Sequence, residues 1–247
     1  MDSYIAFSGG VDSTALALLY PDETPIFTDT GWEFPELYAH IDKFEQVTGR
    51  AVKRIKPKAT LPDEIRRQKF FPNHGARWCT RTMKIEPMNK FLKERLPCEL
   101  WIGLRADEPA RTGNTTDLPG LTIRYPMRER GMTRYDALKV CIDSDLLPRY
   151  PVYMARGGCV GCFYKRPAEV KAMVHLVPEI IAELEQLEKD VQDEREKPFH
   201  CFANCGKSIE QMRKEQTENT LFDIGKVWAA AAEDDDIGDA CGLFCHR

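Results

Sequence analysis

Short apolar runs alternate with stretches of helical spacing through the first half of the chain. Residues 4–7, 25–28, 51–55 and 99–104 are strand-like, and helical periodicity runs from about 13, over 35–48 and over 84–95. Strands of four to six residues separated by amphipathic helices predict βαβ units, hence an α/β fold with a parallel, doubly wound sheet. Ligands in such a sheet bind beyond the carboxyl ends of the strands. Three stretches fall there: Ser8-Gly9-Gly10-Val11-Asp12-Ser13, Asp29-Thr30 and Gly103-Leu104-Arg105.

The pattern changes after residue 106. Residues 107–120 are rich in Thr, Asn, Pro and Gly and predict a long loop, placed like a lid because it follows a strand end. Residues 133–146 predict a helix with Thr133 as N-cap and Asp136 in its first turn. Gly157-Gly158-Cys159-Val160-Gly161-Cys162 interrupts the helical texture. Residues 167–196 follow as one or two helices, with Pro178 marking a break or a fresh start. A helical part over about 208–232 leads into acidic residues 233–236 and a cysteine-bearing tail. The expected organisation is a nucleotide-binding α/β domain over 1–165 and a helical C-terminal region over 166–247.

Composition narrows the class. With 247 residues, 43% hydrophobic and 30% charged, the chain can bury one sizeable core and a smaller lobe. No apolar run approaches the roughly 18 residues of a membrane span, and Met1-Asp2-Ser3 lacks the basic flank and apolar core of a signal peptide. A cytoplasmic protein with no membrane partner is expected. A net charge of −4 and a pI near 5.8 argue against a chain that coats nucleic acid. Lys53, Arg54, Lys56, Lys58, Arg66, Arg67, Lys69, Arg77, Arg81 and Lys84 nevertheless form a local basic set, either a solvated face or a phosphate-rich groove. Nine cysteines in a reducing compartment point to metal or redox work rather than disulfides.

A strand that feeds a helix through adjacent glycines and hydroxyls aims several backbone N–H groups at an anion, most simply a phosphate. Ser8-Gly9-Gly10-Val11-Asp12-Ser13 lacks the Gly-Lys-Ser/Thr of a Walker loop and the third glycine of a dinucleotide loop. It resembles the pyrophosphate loop of the adenine-nucleotide alpha-hydrolase (PP-loop) superfamily, whose members adenylate substrates with ATP and release pyrophosphate. Asp29-Thr30-Gly31 with Phe34-Pro35-Glu36 resembles a signature of the phosphoadenosine phosphosulfate (PAPS) reductase family, as do residues 77–87, Arg-Trp-Cys-Thr-Arg-Thr-Met-Lys-Ile-Glu-Pro, and Gly103-Leu104-Arg105. The resemblance covers roughly residues 3–165.

It implies ATP with Mg²⁺ as the nucleotide. Ser8, Gly9, Gly10 and Ser13 would hold the phosphates, Asp12 the cation or the loop, and Asp29 and Thr30 the nucleotide. Lys84 and Arg105 would neutralise charge on the α-phosphate and leaving pyrophosphate. Reductases of the family commonly carry an altered loop, whereas the loop here is intact.

Cys79 followed by Cys159-Val160-Gly161-Cys162 resembles the [4Fe–4S] ligand pattern of adenylylsulfate reductases, with Trp78 standing where a ligand cysteine would. Arg77-Trp78-Cys79-Thr80 also resembles the sulfur-transfer proteins of DNA phosphorothioation. Cys141 or a tail cysteine would complete four ligands, or three would leave one iron open. A Cys-x-x-Cys alone also suits zinc or a redox pair. Cys201 with Cys205, and Cys241 with Cys245, are spaced for a second, Zn²⁺ site, and Cys98 reads as a buried small hydrophobe. The tail resembles the Glu-Cys-Gly-Leu-His of reductases, but Ala240 and Phe244 replace its Glu and His.

Three functions remain. The first is adenylation of a substrate for sulfur transfer, with nucleic acid as an acceptor and a cysteine-desulfurase-type protein as a donor. The second is reduction of PAPS or adenylylsulfate to sulfite through Cys241, and the third is a non-catalytic nucleotide-binding role in a modification complex.

Overall fold

The computed structural model describes residues 1–111, 118–192, 201–202, 205–215 and 224–229. Its centre is a sheet of five parallel strands: β1 (Asp2–Ala6), β2 (Thr24–Thr28), β3 (Lys53–Ile55), β4 (Cys98–Trp101) and β5 (Leu121–Arg124), in the order β3-β2-β1-β4-β5. β1 lies between β2, with Tyr4 opposite Thr24, and β4, with Tyr4 opposite Leu100. The chain reverses its winding across β1, so the loop after β1 stands at the switch point of the sheet, where α/β folds bind ligands.

Helices cover both faces. α1 (Val11–Leu19) begins at Gly10 and packs on α6 (Arg134–Asp143). α6 starts as expected, with a capping box in which Thr133 accepts from the Asp136 N–H and Asp136 accepts from Thr133. α2 (Pro35–Thr48) opens on a proline whose missing N–H costs nothing there, and it ends on left-handed Gly49. His40 of α2 is buried, its Nε2 2.9 Å from the Thr14 hydroxyl of α1.

Burial lowers the His40 pKa from 6.5 to about 4, with Lys43 adding to the effect. The unfolded chain therefore binds a proton between those values that the folded chain refuses. His40 should add stability in full above pH 6.5 and lose it as the pH falls toward 4, about 3 kcal/mol in all. Urea melts between pH 7 and 4 should show that fall, and His40→Gln should flatten it.

Four elements differ from the sequence expectation. α3 (Leu61–Gln68), β5 and the short α5 (Pro126–Glu129) were not expected. The helix placed over 84–95 is α4 (Glu86–Lys93), entered through a wide π-helical turn, Thr80–Ile85. Pro178 begins a fresh helix, so α7 (Pro167–Leu176) and α8 (Pro178–Gln192) are separate, and α9 (Ile209–Lys214) is capped by Ser208.

The apolar core does not divide at residue 165. Ile181, Leu184, Leu187 and Val191 of α8 share one cluster with Trp32, Phe34, Leu61, Ile65 and Met83. Among the described residues no helix is long and apolar enough to cross a membrane. At least four of the ten residues of the basic set pair with carboxylates: Arg54 with Asp42 and Glu45, Arg66 with Asp63 and Asp190, Arg67 with Glu64, and Arg81 with Glu86.

Candidate nucleotide cavity and neighbouring thiols

The loop after β1 folds on its own hydroxyls. Ser13 Oγ accepts from the Ser8 N–H at 3.1 Å and donates to the Gly10 carbonyl at 3.0 Å, while Ser8 Oγ lies 3.1 Å from Ser13 Oγ. Gly9 sits at φ 72°, and a Cβ there would overlap Leu37 of α2. Glycine is therefore required twice over at this position, by backbone and by space. A cavity of about 210 Å³ opens on the loop, lined by Ser8, Gly10, Asp12, Ser13, Glu33, Lys84, Arg105, Arg111, Arg134, Tyr150 and Arg156, among others.

Asp12 and Arg105 meet in this wall. Arg105 is buried and its Nη1 lies 2.7 Å from Asp12 Oδ2; Nε reaches Asp107 at 2.9 Å and Nη2 reaches Glu108 at 3.4 Å. Burial pushes the Asp12 carboxyl up, and the Arg105 charge and hydrogen bond oppose that push. Asp12 Oδ1 is buried with no hydrogen-bond partner. Such an orphaned carboxylate oxygen beside a phosphate loop suits a hard divalent cation. Arg128 holds the segment after β4 by donating to the carbonyls of Arg105, Glu108 and Arg111.

Asp29 lies one step back from the cavity, accepting from the Gly31 N–H at 2.9 Å and the Tyr38 hydroxyl at 2.7 Å. The Thr30 hydroxyl donates to Glu33 at 2.8 Å. Asp29 thus shapes the turn after β2, and Thr30 faces the thiols.

A second, small cavity is lined by Thr30, Lys84, Cys79, Cys159 and Cys162, with Leu61, Met83, Phe163 and others. Three of the four cysteines expected to hold a cluster therefore share one wall, and Lys84 belongs to both cavities. Backbone pairing holds the thiol loop in place: Glu33 bridges Cys159, and the Val160 N–H donates to the Trp32 carbonyl at 2.8 Å. Cys162 accepts a hydrogen bond from the Cys159 thiol, which lowers its pKa, aided by Lys165 and Arg156; the same bond, with burial, raises that of Cys159. Cys162 is thus the member of the pair that more readily carries the thiolate.

Cys141 does not join them. It lies on α6 against α1, its thiol directed at the Val11 carbonyl at 3.5 Å, and burial pushes its pKa up to about 12. Its neighbours are Ala15, Leu16 and Ala137, in a different core cluster from Cys79, Cys159 and Cys162. Cys201 lies in the same core cluster as Cys79 and Cys159. This thiol is buried beneath Gly161, where a Cβ would lie 3.3 Å from Cys201 Sγ. Glu188 of α8 positions it by accepting from the N–H groups of Cys201 at 2.7 Å and Ile209 at 2.8 Å. Cys205 lies at the edge of the same cluster. Cys201 therefore shares a core cluster with Cys79 and Cys159 but is not among the residues lining the small cavity, while Cys241 and Cys245, expected with Cys201 and Cys205 at a second site, lie outside the described residues. Among the described residues no three His, Cys, Asp or Glu side chains already converge at ligating distance. The donor set suits a thiophilic metal in kind.

Sequence reasoning missed Glu33, Arg111, Arg134, Tyr150, Arg156 and Glu188. Glu188 had a signal, since it falls on the apolar stripe 181, 184, 188, 191 of α8, where a carboxylate needs partners.

A phosphate loop at the switch point of a five-stranded parallel sheet, with helices on both faces, defines a PP-loop, adenine-nucleotide alpha-hydrolase-like domain. Residues 2–117 match the model of the phosphoadenosine phosphosulfate reductase domain, and that part of the chain is similar to this family. Two PAPS reductases, from Cronobacter sakazakii and Escherichia coli, are each 33% identical to it, over 108 and 110 residues; these stretches are 42% and 43% of this chain and 43% of each relative. An uncharacterised protein of Methanocaldococcus jannaschii is 31% identical over 111 residues, 42% of this chain and 23% of its own length. The chain thus spans less than half the length of these curated relatives. The crystal structure of a PAPS reductase from Candida auris in complex with phosphate aligns over 58% of this chain and 72% of its own, with a TM-score of 0.43 and 16% identity.

Proposed function

We propose that the protein is an ATP pyrophosphatase that adenylates an acceptor and passes sulfur to it. An acceptor oxygen attacks the α-phosphorus, pyrophosphate leaves, and a sulfur nucleophile then displaces AMP. The observation that carries this reading is the intact loop of residues 8–13 with Asp12 Oδ1 unsatisfied beside it. Loop N–H groups and the Ser8 and Ser13 hydroxyls bind the β- and γ-phosphates, and Lys84 takes up charge at the α-phosphate. Arg105 has a role different from the one its sequence context implied. With its guanidinium committed to Asp12, Asp107 and Glu108, it orients Asp12. Mg²⁺ bound at Asp12 would supply charge neutralisation of the leaving pyrophosphate.

Cys79, Cys159, Cys162 and Cys201 would hold a [4Fe–4S] cluster; zinc is the alternative metal. Nucleic acid remains the proposed acceptor and a cysteine-desulfurase-type protein the proposed donor. PAPS reduction is the second reading, favoured by the names of the relatives at 33% identity. Calorimetric titration with MgATP and with PAPS separates the two: tighter binding of MgATP supports adenylation, and tighter binding of PAPS overturns it.

A further inference from the structure

Residues 150–158 lead into Cys159, and Tyr150, Ala155, Arg156, Gly157 and Gly158 of this stretch line the nucleotide cavity. The Tyr150 hydroxyl stands between the phosphate loop and the thiol loop. A Cβ at Gly10 would lie 3.7 Å from its oxygen, and a Cβ at Gly157 would lie 3.6 Å from it. That oxygen takes a backbone hydrogen bond from Gly157, and burial pushes the phenol pKa up to about 12. The proton therefore stays on the hydroxyl, which keeps its capacity to donate.

Arg156 is held at one end. Its Nη2 donates to the Tyr164 carbonyl at 3.0 Å and its guanidinium lies 5.8 Å from the centre of the Tyr164 ring, while Nη1 is buried with no hydrogen-bond partner. Two other arginines of the cavity wall differ: Arg105 is committed to Asp12, Asp107 and Glu108, and Arg111 to Glu108. Arg156 makes no ion pair with a carboxylate among the described residues. A buried guanidinium donor left unpaired is costly, and an anion in the cavity is the partner that suits it.

We propose that Tyr150 and Arg156 form the second half of the polyphosphate site, donating to the β- and γ-phosphates from the side opposite the loop of residues 8–13. The ligand class is a pyrophosphate group, free or as part of a nucleoside triphosphate. A nucleoside monophosphate, with its single phosphate at Lys84, does not reach either residue. This inference rests on the nucleotide reading above and deepens it, because it makes selection for a polyphosphate a property of the stretch that leads into Cys159.

Calorimetric titrations with MgATP, Mg²⁺-pyrophosphate and AMP test it. Tyr150→Phe, which removes one oxygen, should weaken MgATP and pyrophosphate about fivefold, and Arg156→Gln should weaken both at least about tenfold. AMP binding should change less than about twofold in either variant, since AMP lacks the phosphates these residues touch. Arg156→Lys, which keeps the charge and loses the forked donors, should fall between wild type and Arg156→Gln and serves if that variant does not fold. An equal loss for AMP and MgATP would assign both residues to the shape of the cavity, and unchanged affinity for MgATP and pyrophosphate would place them outside the site; either result overturns the proposal. A wild-type protein that binds neither MgATP nor pyrophosphate would instead refute the nucleotide reading itself.

Discussion

Asp12→Ala should lower pyrophosphate release from ATP by at least about a hundredfold, the scale seen when one preorganised charge-stabilising group is removed. Two losses combine in this change. The unsatisfied Oδ1 is the oxygen placed to hold a divalent cation, and Oδ2 is the partner of buried Arg105. Removing the carboxylate leaves Arg105 with Asp107 and Glu108 and deprives the phosphate loop of its own acid. Asp12→Asn sharpens the test, because it keeps the shape while removing the charge. If cation binding is the role of Asp12, both variants lose activity and added Mg²⁺ restores neither. Initial rates of pyrophosphate release at saturating ATP check this.

The second large effect concerns the thiols. Cys162→Ser should sharply lower metal loading, because Cys162 lines the thiol cavity together with Cys79 and Cys159. Cys201→Ser should cut iron content several-fold, while Cys141→Ser should leave it unchanged. The reason is position: Cys201 lies under Gly161, whereas Cys141 lies between α1 and α6. Iron and sulfide analysis of anaerobically purified proteins gives the answer, with about four irons expected per wild-type chain. Equal iron in Cys201→Ser and wild type, with a loss in Cys141→Ser, would reverse the assignment. Zinc in place of iron would remove the cluster from the account.

Much of the sheet was legible in the chain, because β1, β2 and β4 are short apolar runs set between helices of clear 3.6-residue spacing. α6 and the break at Pro178 were equally legible, since a capping box and a proline act locally. β5 was not, because Leu121–Arg124 carries a polar Thr and a terminal Arg and lies at the sheet edge, where alternation weakens. α3 was hidden by its charge, as its apolar contribution is little more than Leu61 and Ile65. The tight turn after β1 was legible because its glycines and hydroxyls lie in consecutive residues.

The thiol site was only half legible. Cys79, Cys159 and Cys162 follow a recognisable order, but the choice between Cys141 and Cys201 depends on tertiary packing. α8 crosses to α3, and Glu188 then fixes the chain at Cys201 and Ile209. Nearness along the chain favoured Cys141, which the folding of α6 onto α1 takes away from the thiol pair. Arg105 shows the same limit, since its motif fixed its place but not its partners.

The central claim is that this loop serves a triphosphate that is cut between its α- and β-phosphates. Product analysis tests it most directly: anaerobically purified protein is supplied with α-labelled ATP, Mg²⁺, sulfide and bulk nucleic acid, and separately with sulfur-labelled PAPS and reduced thioredoxin. The account predicts labelled AMP and pyrophosphate from ATP and no sulfite from PAPS. Labelled sulfite, with ATP left intact, would contradict it.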